Sequence, residues 1–94
     1  MSTTTNDIRI WLTNATKAGA THVIIVCDTL DYDDFPVYVF SDQESCTHPL
    51  GEVGTAREVY DRLHGVDLQQ VMEVYSLRGD IESQLSEHRA FHFD

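Results

Sequence analysis

His22-Val-Ile-Ile-Val-Cys27 is a run of apolar, largely β-branched residues with no polar alternation. Side chains alternate across a sheet, so a strand in which every successive residue is apolar is a strand covered on both faces. This segment is therefore expected to lie at the centre of a sheet, and the rest of the chain has to supply what covers it. Ninety-four residues allow one hydrophobic core, so residues 1–94 are expected to form a single domain. A domain of this size buries only about two-thirds of its unfolded surface, which leaves a thin stability margin and makes a homo-oligomer the expected state.

The flanking patterns supply the cover. Ile8, Trp11, Leu12, Ala15 and Ala18 recur at helical spacing up to Gly19, with Thr4 and Asp7, or Asn6 alone, able to cap the start. Asp28 to Phe35 reads as an acidic connection, and Pro36 as the exit into a second strand, Val37-Tyr-Val-Phe40. Ser41 to Val53, polar and containing Pro49 and Gly51, reads as loop. Thr55 and Glu58 stand at capping-box spacing ahead of the stripe Ala56, Val59, Tyr60 and Leu63, which Gly65 ends. Gln69 to Leu77 alternates as a strand, with Val71, Glu73, Tyr75 and Leu77 on one face and Met72, Val74 and Ser76 on the other. Asp80 can cap a last short helix carrying Ile81 and Leu85, and Phe91 and Phe93 are expected in an edge strand or in the core. The order α-β-β-α-β-α predicts an α+β fold: a small, mainly antiparallel sheet of three to four strands with helices packed mainly on one face.

Charge narrows the functional classes. Six basic against sixteen acidic residues give a net charge of −10, which repels phosphate backbones and anionic membranes and argues against general nucleic-acid binding. No apolar run approaches the ~20 residues of a membrane-spanning helix, and Met1 to Ile8 shows no basic region followed by a hydrophobic stretch. A cytoplasmic location is expected, with Cys27 and Cys46 as reduced thiols. A bridge between them would require their Cα atoms to lie within about 7 Å.

Four groups of residues are candidates for chemistry. Carboxylates at Asp28, Asp31, Asp33 and Asp34 could gather around a hard cation, although an EF-hand would need an oxygen ligand where Phe35 stands and glycine where Pro36 stands; the alternative is a solvated acidic turn. Gly54, Thr55 and Arg57 open a helix whose free N–H groups could receive a phosphate, but the Gly-Lys-Ser/Thr ending of a nucleotide loop is missing and Thr55 is accounted for as a cap. Cys46 and His48, with His22, Cys27, His64, His88 and His92, lack the paired spacing of a zinc site and any signature of thiol catalysis. Tyr38 and Arg78, with Tyr32, Tyr60, Tyr75 and the other arginines, could clamp a planar phosphorylated ligand, against a simpler role in packing. No cofactor is expected.

The stretch from Gly19 through Cys27-Asp-Thr-Leu-Asp-Tyr-Asp-Asp-Phe-Pro36 to Val39, with Val71 to Asp80 and His88 to Asp94, resembles small uncharacterised proteins of bacteriophage and actinobacterial genomes. That resemblance implies a provenance, a phage-associated accessory protein in the host cytoplasm; the small size, the lack of a catalytic signature and the Gly54-Thr55-Arg57 helix start with nearby tyrosines lead to the expectation that it binds rather than catalyses. Its ligand would be a host protein or a small nucleotide signal of a defence system. Two other readings compete: a metal-dependent hydrolase built on the Asp28–Asp34 loop, and an acidic interaction module that docks on a basic partner.

Overall fold

The computed structural model describes residues 3–42, 47–87 and 89–94. Helix α1 (Thr5–Ala18) leads into strand β1 (His22–Asp28) and β2 (Asp33–Phe40). After them come a two-residue β3 (Glu52–Val53), helix α2 (Ala56–His64), strand β4 (Gln69–Ser76) and a short α3 (Ile81–Leu85). The expected α+β order holds, and the sheet runs β3-β2-β1-β4 with β1 inside it. β1 pairs antiparallel with both β2 and β4, while β3 lies parallel to Val39 and Phe40, so the sheet is mixed. Two residues carry no periodicity, which is why the loop reading of Ser41 to Val53 misses β3.

The double cover of β1 is complete. Val23 and Ile25 face a cluster built with Ile8, Leu12 and Ala15 of α1, Tyr75 and Ala90, against which Ile81 and Leu85 of α3 also pack. Ile24 and Val26 face the other side, where Ala56 and Val59 of α2 join Val39, Val71 and Val74. All four β1 residues are at most 1% exposed. Two of the three helices thus share one face and α2 covers the other. Arg9 of α1 reaches Glu82 of α3 through two hydrogen bonds, at 3.1 and 2.9 Å, tying together the pair on the first face.

Helix starts follow the local chemistry. Thr4 and Thr55 each accept a bond from the third residue of their helix, and Asp7 and Glu58 accept one from the cap backbone in return. Gly19 closes α1 at φ 88°, a conformation that costs a side-chain-bearing residue free energy. Asp80 caps α3 by accepting from the N–H groups of Glu82 and Ser83.

β4 departs from simple alternation. Ile25 pairs with Glu73 but Val26 with Val71, so Met72 is the additional residue of a β-bulge. The bulge reverses the phase of the strand: Val71 joins Val74 on the α2 side, while Met72, Tyr75 and Leu77 pack on the α1 side. The strict two-face reading of Gln69 to Leu77 is corrected on this point.

The segment after α3 is held on the outer edge of β4. Val74 donates to Ala90 O at 2.8 Å and accepts from His92 N–H at 2.9 Å. Buried Gln84 accepts from Ser76 N–H and donates to Ser76 O, both at 2.8 Å. Phe91 forms a single bridge to Val74, and Phe93 packs against the α2-side core. On the opposite edge, β3 covers only the end of β2, and Pro36 sits opposite Ile25 where, among the described residues, the outer edge of β2 has no strand beside it. A free edge is where a strand tolerates proline, which has no N–H to donate.

Candidate functional site

β1 and β2 are joined by residues 29–32, a connection half as long as the acidic loop read from the sequence, because pairing continues through Asp28 and Asp33. Asp28 organises the turn: its Oδ1 accepts from Leu30 N–H at 2.8 Å and its carbonyl accepts from Tyr32 N–H at 2.6 Å. Thr29 N–H donates to Leu68 O at 3.0 Å, which fastens the hairpin to the connection between α2 and β4. Two distant stretches of sequence thereby meet at one end of the sheet.

The side chains at this end point outward. Leu30 is 65% exposed, Tyr32 73% and Leu68 60%. Tyr32 and Leu68 both hold left-handed backbone, at φ 57° and 66°, and no other described residue apart from glycine does so. For a bulky residue this conformation costs about 1–2 kcal/mol. Around them stand Asp28, Asp31, Asp33, Asp34 and Asp67. The arginine ion pairs are made elsewhere, by Arg9 with Glu82, Arg57 with Asp61, Arg62 with Glu52 and Arg78 with Asp42. The hairpin end is therefore an apolar knob flanked by acidic residues.

No three His, Cys, Asp or Glu side chains form a metal-holding group among the described residues, so the gathering anticipated for Asp28, Asp31 and Asp33 does not form. Asp28 and Asp33 stand opposite one another across the strand pair, and Asp28 directs Oδ1 into the turn. The Cys27 thiol is pushed up, first by burial, then by its hydrogen bond to Asp34 and the negative charges of Asp34, Asp28 and Asp33. It stays protonated and is a poor nucleophile.

The residues expected to bind a nucleotide do not converge. Gly54, Thr55 and Arg57 open α2 on one face of the sheet, whereas Tyr38 packs with the α1 cluster on the other. The capping box places the Glu58 carboxylate on the Thr55 N–H at 3.1 Å, putting a negative group where a phosphate would sit. Bonding to Thr55 holds that carboxyl below its ordinary range. Arg78 pairs with Asp42 at 2.7 Å and borders a cleft of about 350 Å³ together with Ser76, Asp80, Gln84, His92 and Asp94. Polar groups in this cleft largely bind one another: Ser76 Oγ donates to the Asp94 main-chain oxygen at 2.6 Å, and His92 Nε2 meets Glu87 at 2.7 Å.

Arg57 has a different setting. Its guanidinium lies 5.5 Å from the Tyr60 ring centroid and 5.1 Å from that of Phe93. Tyr60 stacks with His64 and meets Phe91 and Phe93 edge-on, and Arg89 lies 5.7 Å from the Phe91 ring centroid. The sequence hides this cluster because its rings come from α2 and from the end of the described chain.

His22 and His48 are held by local contacts. His22 is 1% exposed, with Nε2 at 2.7 Å from the Asp94 main-chain oxygen and Nδ1 at 2.9 Å from Thr21 Oγ1. Burial is the main reason its pKa falls below the ordinary value. His48 stacks on Phe40 at 3.7 Å and accepts from Leu50 N–H through Nδ1. Cys46 and His88 lie outside the described residues, so the pairing of Cys46 with His48 or Cys27 does too.

A scan against protein-family models returns no match, and neither do searches of curated proteins and of solved structures.

Proposed function

We propose that this domain is a non-enzymatic interaction module that docks through its hairpin end onto a basic and apolar surface of a partner protein. The observation that carries this reading is the exposure of Leu30, Tyr32 and Leu68 at one end of the sheet, two of them in backbone conformations that bulky residues seldom adopt. Backbone held in a costly conformation at a surface invites a functional reading, because the conformation itself adds nothing to stability. Apolar side chains supply contact area, and the aspartates select partners of opposite sign and accelerate encounter. With a phage provenance, the partner is a host protein and the effect is inhibition by occupancy.

An amphipathic peptide of lysine and leucine is a suitable probe. In NMR titration it is expected to shift amides of residues 28–34 and 66–69, and to lose affinity steeply as salt rises, because exposed charge attraction is screened within about 10 Å at 0.1 M salt. A peptide with glutamate in place of lysine should leave those amides unmoved. Shifts confined to other surfaces, or equal effects of the two peptides, overturn the reading.

A further inference from the structure

We infer that the domain also docks on itself, the hairpin end of one copy seating on the arginine–aromatic face of a second copy. This rests on the reading of the hairpin end given above and adds the surface that receives it. That face comprises Arg57, Tyr60 and His64 of α2 with Arg89, Phe91 and Phe93 of the closing segment. In a chain with only six basic residues, two arginines stand against its rings. A guanidinium lying over an aromatic ring keeps its N–H edges available, and those edges fit carboxylates in a fork. Arg57 also meets Asp61, at a loose 3.8 Å with both side chains 65% exposed, and Arg89 makes no ion pair among the described residues. Phe91 is 40% exposed.

The two surfaces complement one another. One offers Leu30, Tyr32 and Leu68 among aspartates; the other offers the exposed Phe91 ring and the partly buried Tyr60 and Phe93 rings, with guanidinium groups over them. Pairing through strand edges is the competing route to self-association, and each edge is blocked in part. Pro36 interrupts the free part of β2, and the Val74 N–H and C=O of β4 are taken by Ala90 and His92. The contact is heterologous, with different patches on the two copies, so it either closes into a ring or continues as an open chain. A knob of a few side chains buries less than a standard interface, which places the affinity in the micromolar range or weaker.

Sedimentation velocity across roughly 10 μM to 1 mM protein tests this. Two doubly substituted proteins are used, Leu30→Ser with Tyr32→Asn, and Arg57→Glu with Arg89→Glu; all four positions are exposed, and circular dichroism verifies the fold. Wild-type protein is expected to gain mass with concentration and to lose that gain in high salt. Each variant alone is expected to stay monomeric, whereas their equimolar mixture associates again, because one retains the receiving face and the other the hairpin end. A monomeric wild type, a monomeric mixture, or an arginine variant that assembles like wild type overturns the inference. So does ADP binding at Tyr60 and Phe91 without self-association, which would assign the face to a nucleotide. If the wild type is monomeric yet the lysine–leucine peptide still binds residues 28–34, only self-docking falls; if neither associates, the interaction-module reading falls with it.

Discussion

Tyr32 and Leu68 allow backbone strain to be measured apart from side-chain packing. Alanine normally exceeds glycine in stability by roughly 0.5–1 kcal/mol, because glycine loses more backbone freedom on folding. At Tyr32, φ 57°, and Leu68, φ 66°, a Cβ is disfavoured by about 1–2 kcal/mol, a penalty that alanine retains and glycine escapes. Both substitutions remove the large side chain, so lost contacts cancel in the comparison. The difference leaves Tyr32→Gly more stable than Tyr32→Ala by about 0.7 kcal/mol, within a span of roughly 0–1.5, with the same order at Leu68. For a domain of this size that separation is about 2–8 °C in Tm. Asn14, exposed within α1, is the control: there glycine should be less stable than alanine by about 1 kcal/mol. Thermal and urea unfolding of the six variants decide the matter. Equal stability, or alanine ahead, at both positions 32 and 68 refutes the assignment of strain. Peptide affinity supplies a second readout, since Tyr32→Gly and Tyr32→Ala should lose it equally despite their different stabilities.

Gln84→Ala removes the partner of the buried Ser76 N–H and one of two donors to its carbonyl, the other being the Gly79 N–H, and should cost about 2 kcal/mol in urea unfolding. Gly51→Ala would place a Cβ 2.2 Å from the Tyr38 carbonyl oxygen; the backbone must move to relieve this, and the β2–β3 amides should lose hydrogen-exchange protection. His22 is held neutral, with a folded pKa below its unfolded value, so the unfolded chain binds the proton first. Stability is then full above an unfolded pKa near 6.5 and declines as pH falls from there, and a Tm profile between about pH 7.5 and 5 should show a decline that His22→Gln reduces. Thr55→Ala breaks the capping box of α2 and should lower stability by about 1 kcal/mol in the same unfolding assay.

The elements that local chemistry specifies are legible in the sequence. The β-branched run gives β1, the threonine capping boxes give the starts of α1 and α2, and Gly19 gives the end of α1. Features set by long-range pairing are not. The bulge at Met72 arises only when β4 is laid against β1, so alternation misplaces Val71. Likewise, the sequence presents Asp28 to Asp34 as an acidic loop and a conceivable metal site, because Leu68 is far away along the chain. The register that pairs Asp28 with both Asp33 and Gln69 brings that leucine to the hairpin and changes the character of the site from acidic to amphipathic. Arg57 is a candidate in the sequence for phosphate; the rings of Tyr60 and Phe93 that give it a different setting come together only in the fold.

The tight connection between β1 and β2 also bears on the order in which the molecule is made. A hairpin closed by so few residues forms in about 1–10 μs, whereas β4 reaches β1 only after the intervening chain and α2 have been drawn in. For a chain emerging from its N-terminal end, Leu30 and Tyr32 are on display before Phe91 and Phe93 have been synthesised. The hairpin's share of the knob thus precedes the arginine–aromatic face, so under the self-docking proposed above a nascent copy would meet finished neighbours with one valence instead of two and act as a chain terminator.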